Sequence, residues 1–190
     1  MDLSEDSREI VCGSIGSENG TVYSKVYLLS TYSDEDAQEC RIDGSALVDI
    51  KLMGRKAVAT CNNGRTVFTF RNSGVTQEHN DFSSDITAFY SDKSGNTAVV
   101  TNKVGYFGTK EITVYNKNNE ITYIGYTDEE IVDVICRGKR AYLLTDKAIY
   151  ESLSDGTFRV AGTKEISGEG MVICKGRLYY YSTGNIDINS

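Results

Sequence analysis

The chain of 190 residues contains no proline and no tryptophan. Without proline, cis-prolyl turns and polyproline segments are excluded. Turn-making falls to glycine, asparagine and aspartate, and glycine alone occurs 18 times. There is a single histidine, His79. It leaves little room for a histidine-based metal centre or an acid–base dyad, and no cofactor is expected. No run of lysine and arginine occurs, and the net charge is −7, so nucleic acid and anionic membrane surfaces are not expected partners. No apolar run reaches 18 residues, so direct membrane insertion is not expected either. Met1-Asp2-Leu3-Ser4 leads into acidic residues, unlike the basic and apolar start of a signal peptide.

Motifs of catalysis are missing as well. There is no G-x-S-x-G elbow, H-E-x-x-H pair, phosphate-binding loop or calcium loop. The five cysteines, Cys12, Cys40, Cys61, Cys136 and Cys174, form no C-x-x-C pair. Cys12, Cys136 and Cys174 fall inside apolar runs and read as small buried hydrophobes. Asp34-Glu35-Asp36 is a tight acidic cluster and reads as a solvated turn.

What is present is strand. Hydrophobic content is 39 % and charged content 25 %, values of a folded globular chain. Short segments rich in valine, isoleucine, threonine and tyrosine alternate with Gly/Asn/Asp turns. Val132–Tyr150 (VDVICRGKRAYLLTDKAIY) is the clearest, with two apolar strands around a Gly turn and a third behind them. No segment carries helical spacing over ten positions, so no helix is expected. Met1–Ser7 reads as a turn, His79 as a residue of a polar loop, and Asn62-Asn63-Gly64 as a hairpin turn made by an Asn-Gly pair at positive φ.

The strand phrase repeats. Val48-Asp49-Ile50 matches Val132-Asp133-Val134. Gly54-Arg55-Lys56-Ala57-Val58 matches Gly95-Asn96-Thr97-Ala98-Val99 and Gly138-Lys139-Arg140-Ala141-Tyr142. Ile135-Cys136-Arg137-Gly138 matches Ile173-Cys174-Lys175-Gly176. The period is about 40 residues with about four strands each, as in a propeller blade. Units therefore fall at about 1–45, 46–84, 85–130, 131–166 and 167–190 of a single domain or part of one. The expected fold is all-β, a β-propeller-like array of about five units of up to four antiparallel strands. On this reading the first unit lacks its innermost strand and the last its outermost. Two completions are expected alternatives: a homodimer, or a missing N-terminal half. A closed five-bladed ring with two thin blades is the third.

These repeats resemble those of WD40-like and related bacterial propellers, without the Trp-Asp ending or the Gly-His pair. The Tyr- and Asn-rich texture also resembles an uncharacterised family of Firmicutes propellers with an N-terminal membrane anchor. That resemblance implies an extracytoplasmic sensor or scaffold and no site residues.

Two functions from different classes fit. The first is a non-enzymatic interaction or ligand-binding module with a protein or glycan partner. For it, Tyr106 and Phe107 in the loop Lys103–Thr109 (KVGYFGT) are the binding candidates, as aromatics outside a strand. The second is a glycosidase-like hydrolase. It would use Asp49 and Asp133, which hold equivalent repeat positions, as acids at the propeller channel. A polar residue alternating with apolar ones on a half-buried strand explains the same two aspartates, and Thr87 fills that place in the third unit.

Overall fold

The computed structural model describes residues 1–4, 6, 8–32, 37–163, 169–182 and 185–189. The Asp34–Asp36 cluster lies outside the described residues. All regular structure among them is β-strand. It is arranged as five antiparallel sheets whose strands pair in chain order. The chain divides into two compact units.

The first unit comprises residues 1–85 with the turn residues 93–95 and 117–119. Its first sheet is β1 (Asp2–Leu3), β2 (Glu9–Glu18), β3 (Thr21–Ser30) and β4 (Gln38–Asp43). Its second is β5 (Leu47–Met53), β6 (Lys56–Cys61), β7 (Gly64–Arg71) and β8 (Gly74–Asp81). Two departures from the sequence reading appear here. Asp2–Leu3 is a strand paired with β2, not part of a turn, so the first sheet has four strands and does not lack its first one as the sequence reading expects. Two residues carry no periodicity, and Asp2 is fixed by a distant partner: its Oδ2 accepts the Leu52 backbone N–H at 2.8 Å. The last strand of the second sheet runs on to Asp81, so His79 sits in β8 opposite Thr66, not in a loop.

Two of the three hairpins of that sheet show what glycine does in each. Gly54, between β5 and β6, has φ 55°, in the left-handed region that a tight hairpin needs and that β-carbon sterics disfavour. Gly64 does not have a positive φ. A Cβ there would lie 2.7 Å from the His79 ring and 3.0 Å from the Asn80 carbonyl oxygen. The Asn-Gly pair thus answers close approach of β8, not turn conformation.

Inward residues of both sheets form one core: Val11, Val26 and Leu28 with Ile50, Leu52, Phe68 and Phe70. Beside it lies a buried polar network. Arg65, on β7, has no exposed surface. It donates from Nη1 to Asn119 Oδ1 at 2.6 Å and from Nη2 to the Gly95 carbonyl at 3.0 Å. Asn119 donates to the Glu78 carbonyl at 3.1 Å, and its own carbonyl accepts from Asn80 Nδ2 at 2.7 Å. Burying a guanidinium is costly unless its donors are met.

The second unit holds residues 86–92, 96–116 and 120–190. Its sheets are β9 (Ile86–Ser91), β10 (Thr97–Asn102), β11 (Lys110–Tyr115) and β12 (Ile121–Thr127); then β13 (Ile131–Arg137), β14 (Arg140–Thr145), β15 (Ala148–Ser152) and β16 (Phe158–Thr163); then β17 (Gly170–Cys174), β18 (Arg177–Ser182) and β19 (Asn185–Asn189). Gly138 turns β13 into β14 at φ 59°, the same solution as Gly54 one repeat pair earlier. One core joins the first two sheets through Val100, Ile112, Val114, Val134 and Leu143, and another joins the last two through Ile135, Ile149, Met171 and Tyr180. Within each unit a sheet covers a face of the next, which is how small four-stranded sheets become stable.

Of the cysteines, all unpaired, Cys40, Cys61 and Cys136 are buried, Cys12 is half-buried and Cys174 is exposed. The expectation of burial fails for Cys174 because it ends β17 beside the Lys175-Gly176 turn.

Candidate functional site: an exposed aromatic loop

β10 and β11 run antiparallel, Asn102 opposite Lys110. The segment between them must reverse in seven residues, Lys103–Thr109. The Lys103 N–H donates to the Thr109 carbonyl at 2.9 Å and closes the base. The Tyr106 N–H donates to the Lys103 carbonyl at 3.2 Å. The tip therefore projects its side chains outward. Val104 is 68 % exposed, Tyr106 61 %, and Phe107 fully exposed. A phenylalanine left wholly in water forgoes about 1.5–3 kcal/mol of burial.

The loop is held from below. The Lys103 ammonium lies 3.7 Å from the Tyr126 ring centroid and 4.4 Å from that of Tyr106. Each such cation–π contact stabilises by about 0.5–1 kcal/mol at an exposed site. Thr109 Oγ1 donates to Asp128 at 2.6 Å. The polar groups of the loop thus serve its own conformation, and its apolar side chains are left outward. Tyr106 and Phe107 stand where the sequence reading places them. Tyr126 and Val104 were not foreseen. Tyr126 lies on β12, and nothing in the spacing ties it to Lys103.

The two repeat aspartates behave differently. Asp133, on β13, is partly buried and binds backbone with both oxygens. Oδ2 accepts the Met171 N–H at 2.6 Å and Oδ1 accepts the Val134 N–H at 2.8 Å. Burial pushes its carboxyl above the usual value, and the two N–H bonds pull against that rise. The Met171 bond pins the first strand of one sheet to the first strand of the next, as the Asp2–Leu52 bond does in the first unit. Asp49, on β5, has Lys51 Nζ at 3.9 Å. Asp49 and Asp133 belong to different compact units.

His79 has both ring nitrogens within reach of partners: Nδ1 is 2.8 Å from Thr66 Oγ1 and Nε2 is 3.0 Å from Asp81 Oδ1. Among the described residues no group of three or more His, Cys, Asp or Glu side chains is placed to hold a metal ion.

At the opposite end of β12 from the aromatic loop is a cleft of about 800 Å³, between β12 and the outer strands of the following sheet. Its feature is a charge cluster. Glu151, on β15, is nearly buried. Its Oε1 accepts from Arg140 Nη1 at 2.6 Å, and its Oε2 accepts from Arg159 Nε at 2.9 Å and Nη2 at 2.5 Å. Burial pushes the Glu151 carboxyl up, but the Arg159 and Arg140 bonds outweigh it and hold it below the usual value.

Solved structures similar to this chain include BamB from Moraxella catarrhalis, at 12 % identity and a TM-score of 0.52 over 98 % of this chain and 56 % of that one. A protein of unknown function from Bacteroides caccae aligns at 12 % identity and TM-score 0.49 over 88 % of this chain and 64 % of that one. Apo AztD from Citrobacter koseri aligns at 10 % identity and TM-score 0.48 over 88 % of this chain and 53 % of that one. The chain thus spans less than two thirds of each. No family model and no curated protein matches the chain. Identities this low speak to fold alone, and the fold that the BamB likeness supports is the one the sheets display: a β-propeller-like array of five antiparallel sheets.

Proposed function

We propose that the chain is a non-enzymatic interaction module that engages a protein partner through the Lys103–Thr109 loop. The observation that carries this is the full exposure of Phe107 beside Val104 and Tyr106 on a loop whose polar groups brace it internally. Apolar surface held outward in this way marks interaction sites, and aromatic anchors dominate the energetics of protein interfaces. A glycan partner would want polar groups converging around the rings, but here Lys103 and Thr109 are turned to Tyr106, Tyr126 and Asp128.

The hydrolase reading has less behind it. A general acid or nucleophile needs an oxygen free for substrate, and both oxygens of Asp133 accept backbone N–H groups. Assays of wild type and of Asp49→Asn/Asp133→Asn on a panel of aryl glycosides test the point. Equal background rates support the binding reading. Turnover by the wild type that the double variant loses would overturn it. For the loop itself, Phe107→Ser should abolish capture of the partner while leaving the fold intact.

A further inference from the structure

We propose that the cleft between β12 and the sheet β13–β16 is a second binding site, for an extended acidic peptide segment. Two walls of opposite character define it. One is β12, the last strand of its sheet, which among the described residues pairs only with β11 and exposes Ile121 and Ile124. The other carries Lys139, Arg140 and Arg159. Three cations and the single carboxylate of Glu151 line the space, a local positive excess in a chain of net charge −7.

Glu151 is the reason the cations form a site rather than a scatter of surface charge. It is buried, and it fixes both guanidinium groups by charge-assisted bonds. An exposed arginine otherwise spreads over many rotamers, so the clamp removes an ordering cost from binding. Arg140 reaches Glu151 through Nη1 and also bonds the Tyr142 side chain, while Arg159 holds Glu151 through Nε and Nη2 and keeps Nη1 for a ligand. Planar donors of this kind match a carboxylate.

The shape favours a strand. An unpaired strand edge supplies main-chain partners for an extended peptide, and alternate side chains then face alternate walls. Acidic side chains would meet Lys139, Arg140 and Arg159, and apolar ones would meet Ile121, Ile124 and Leu153. A volume of about 800 Å³ lies in the range of ligand-binding clefts. The site is at the far end of β12 from Tyr126 and the aromatic loop, so it stands or falls independently of the role proposed for that loop.

The test is fluorescence anisotropy with the full chain and two labelled eight-residue peptides. One alternates glutamate with valine, and the other alternates lysine with valine. Binding of the glutamate peptide alone, weakening as salt rises, is expected. Lys139→Glu alters an exposed residue outside the Glu151 clamp and should lower affinity about fivefold, and Arg159→Gln about tenfold. Circular dichroism confirms that each variant is folded, and Lys139→Glu decides the matter if Arg159→Gln is not. Equal binding of both peptides, no binding of either, or wild-type affinity in folded Lys139→Glu would overturn the proposal.

Discussion

Replacing Arg65 by alanine should be among the most damaging single changes in the first unit. The side chain is fully buried. Its loss leaves the Asn119 Oδ1 and Gly95 carbonyl oxygens without the donors that lie 2.6 Å and 3.0 Å away. A buried acceptor deprived of its partner costs about 1–3 kcal/mol, and the cavity left behind adds to that. Relief from burying the guanidinium offsets part of the sum, giving a net loss of about 3–5 kcal/mol. With a slope of about 2 kcal/mol/M in urea, the midpoint should fall by about 1.5–2.5 M. The chain has no tryptophan, so tyrosine emission or far-ultraviolet dichroism must report the transition. Asn119→Gly separates backbone from side chain, because Asn119 has φ 66° and glycine keeps that conformation without strain. It should cost less than Arg65→Ala but move the same transition. A loss below about 1 kcal/mol for Arg65→Ala would refute the reasoning, since two orphaned buried acceptors cannot be that cheap.

Other consequences can be checked alongside. Asp133→Asn turns one backbone-accepting oxygen into an N–H donor and should destabilise the second unit by about 1–3 kcal/mol, seen as faster hydrogen exchange at the Met171 amide. Glu151 and Asp133 should pull the pH dependence of stability in opposite directions. The depressed carboxyl of Glu151 contributes stability above its ordinary value of 4.5 that is lost as pH falls below it. The raised carboxyl of Asp133 costs stability as pH climbs from its ordinary 3.8 through its elevated folded value. Urea midpoints of Glu151→Gln and Asp133→Asn against wild type from about pH 3 to 7 separate the two. Cys174 should react fastest with a disulfide reagent, with Cys12 slower. Buried Cys61, its thiol pushed up to about 11 by burial, should react only on unfolding.

The sheets were legible because each hairpin announces itself locally. Gly54 and Gly138 mark the turn before a buried second strand, and the strand phrases alternate or run apolar as half-buried and buried strands must. Asp2–Leu3 was not legible, since two residues carry no period and what holds them is pairing with β2 and a bond from Leu52, some fifty residues away, to the Asp2 carboxylate. His79 was misplaced for a similar reason: β8 is polar and largely exposed, so its strand character comes from pairing with β7 rather than from its own composition. In the candidate site, Tyr106 and Phe107 were visible as aromatics in a Gly-bounded segment. The Glu151–Arg159 pair was within reach of sequence reasoning, because a hairpin centred on Asp155-Gly156 sets those residues opposite each other. Arg140 comes to the same carboxylate from the neighbouring strand, and no spacing within one hairpin contains that information.

The central claim is that the Lys103–Thr109 loop is where a protein partner docks. A photo-crosslinking amino acid placed at position 107, with one at exposed Ile15 in the first unit as control, tests it in extracts of the source cell. The account predicts a discrete adduct at position 107 that is absent at position 15, is competed away by unlabelled wild-type chain, and is not competed by Tyr106→Ser. The same faint adducts at both positions, or a position-107 adduct that Tyr106→Ser competes as well as wild type does, would contradict it.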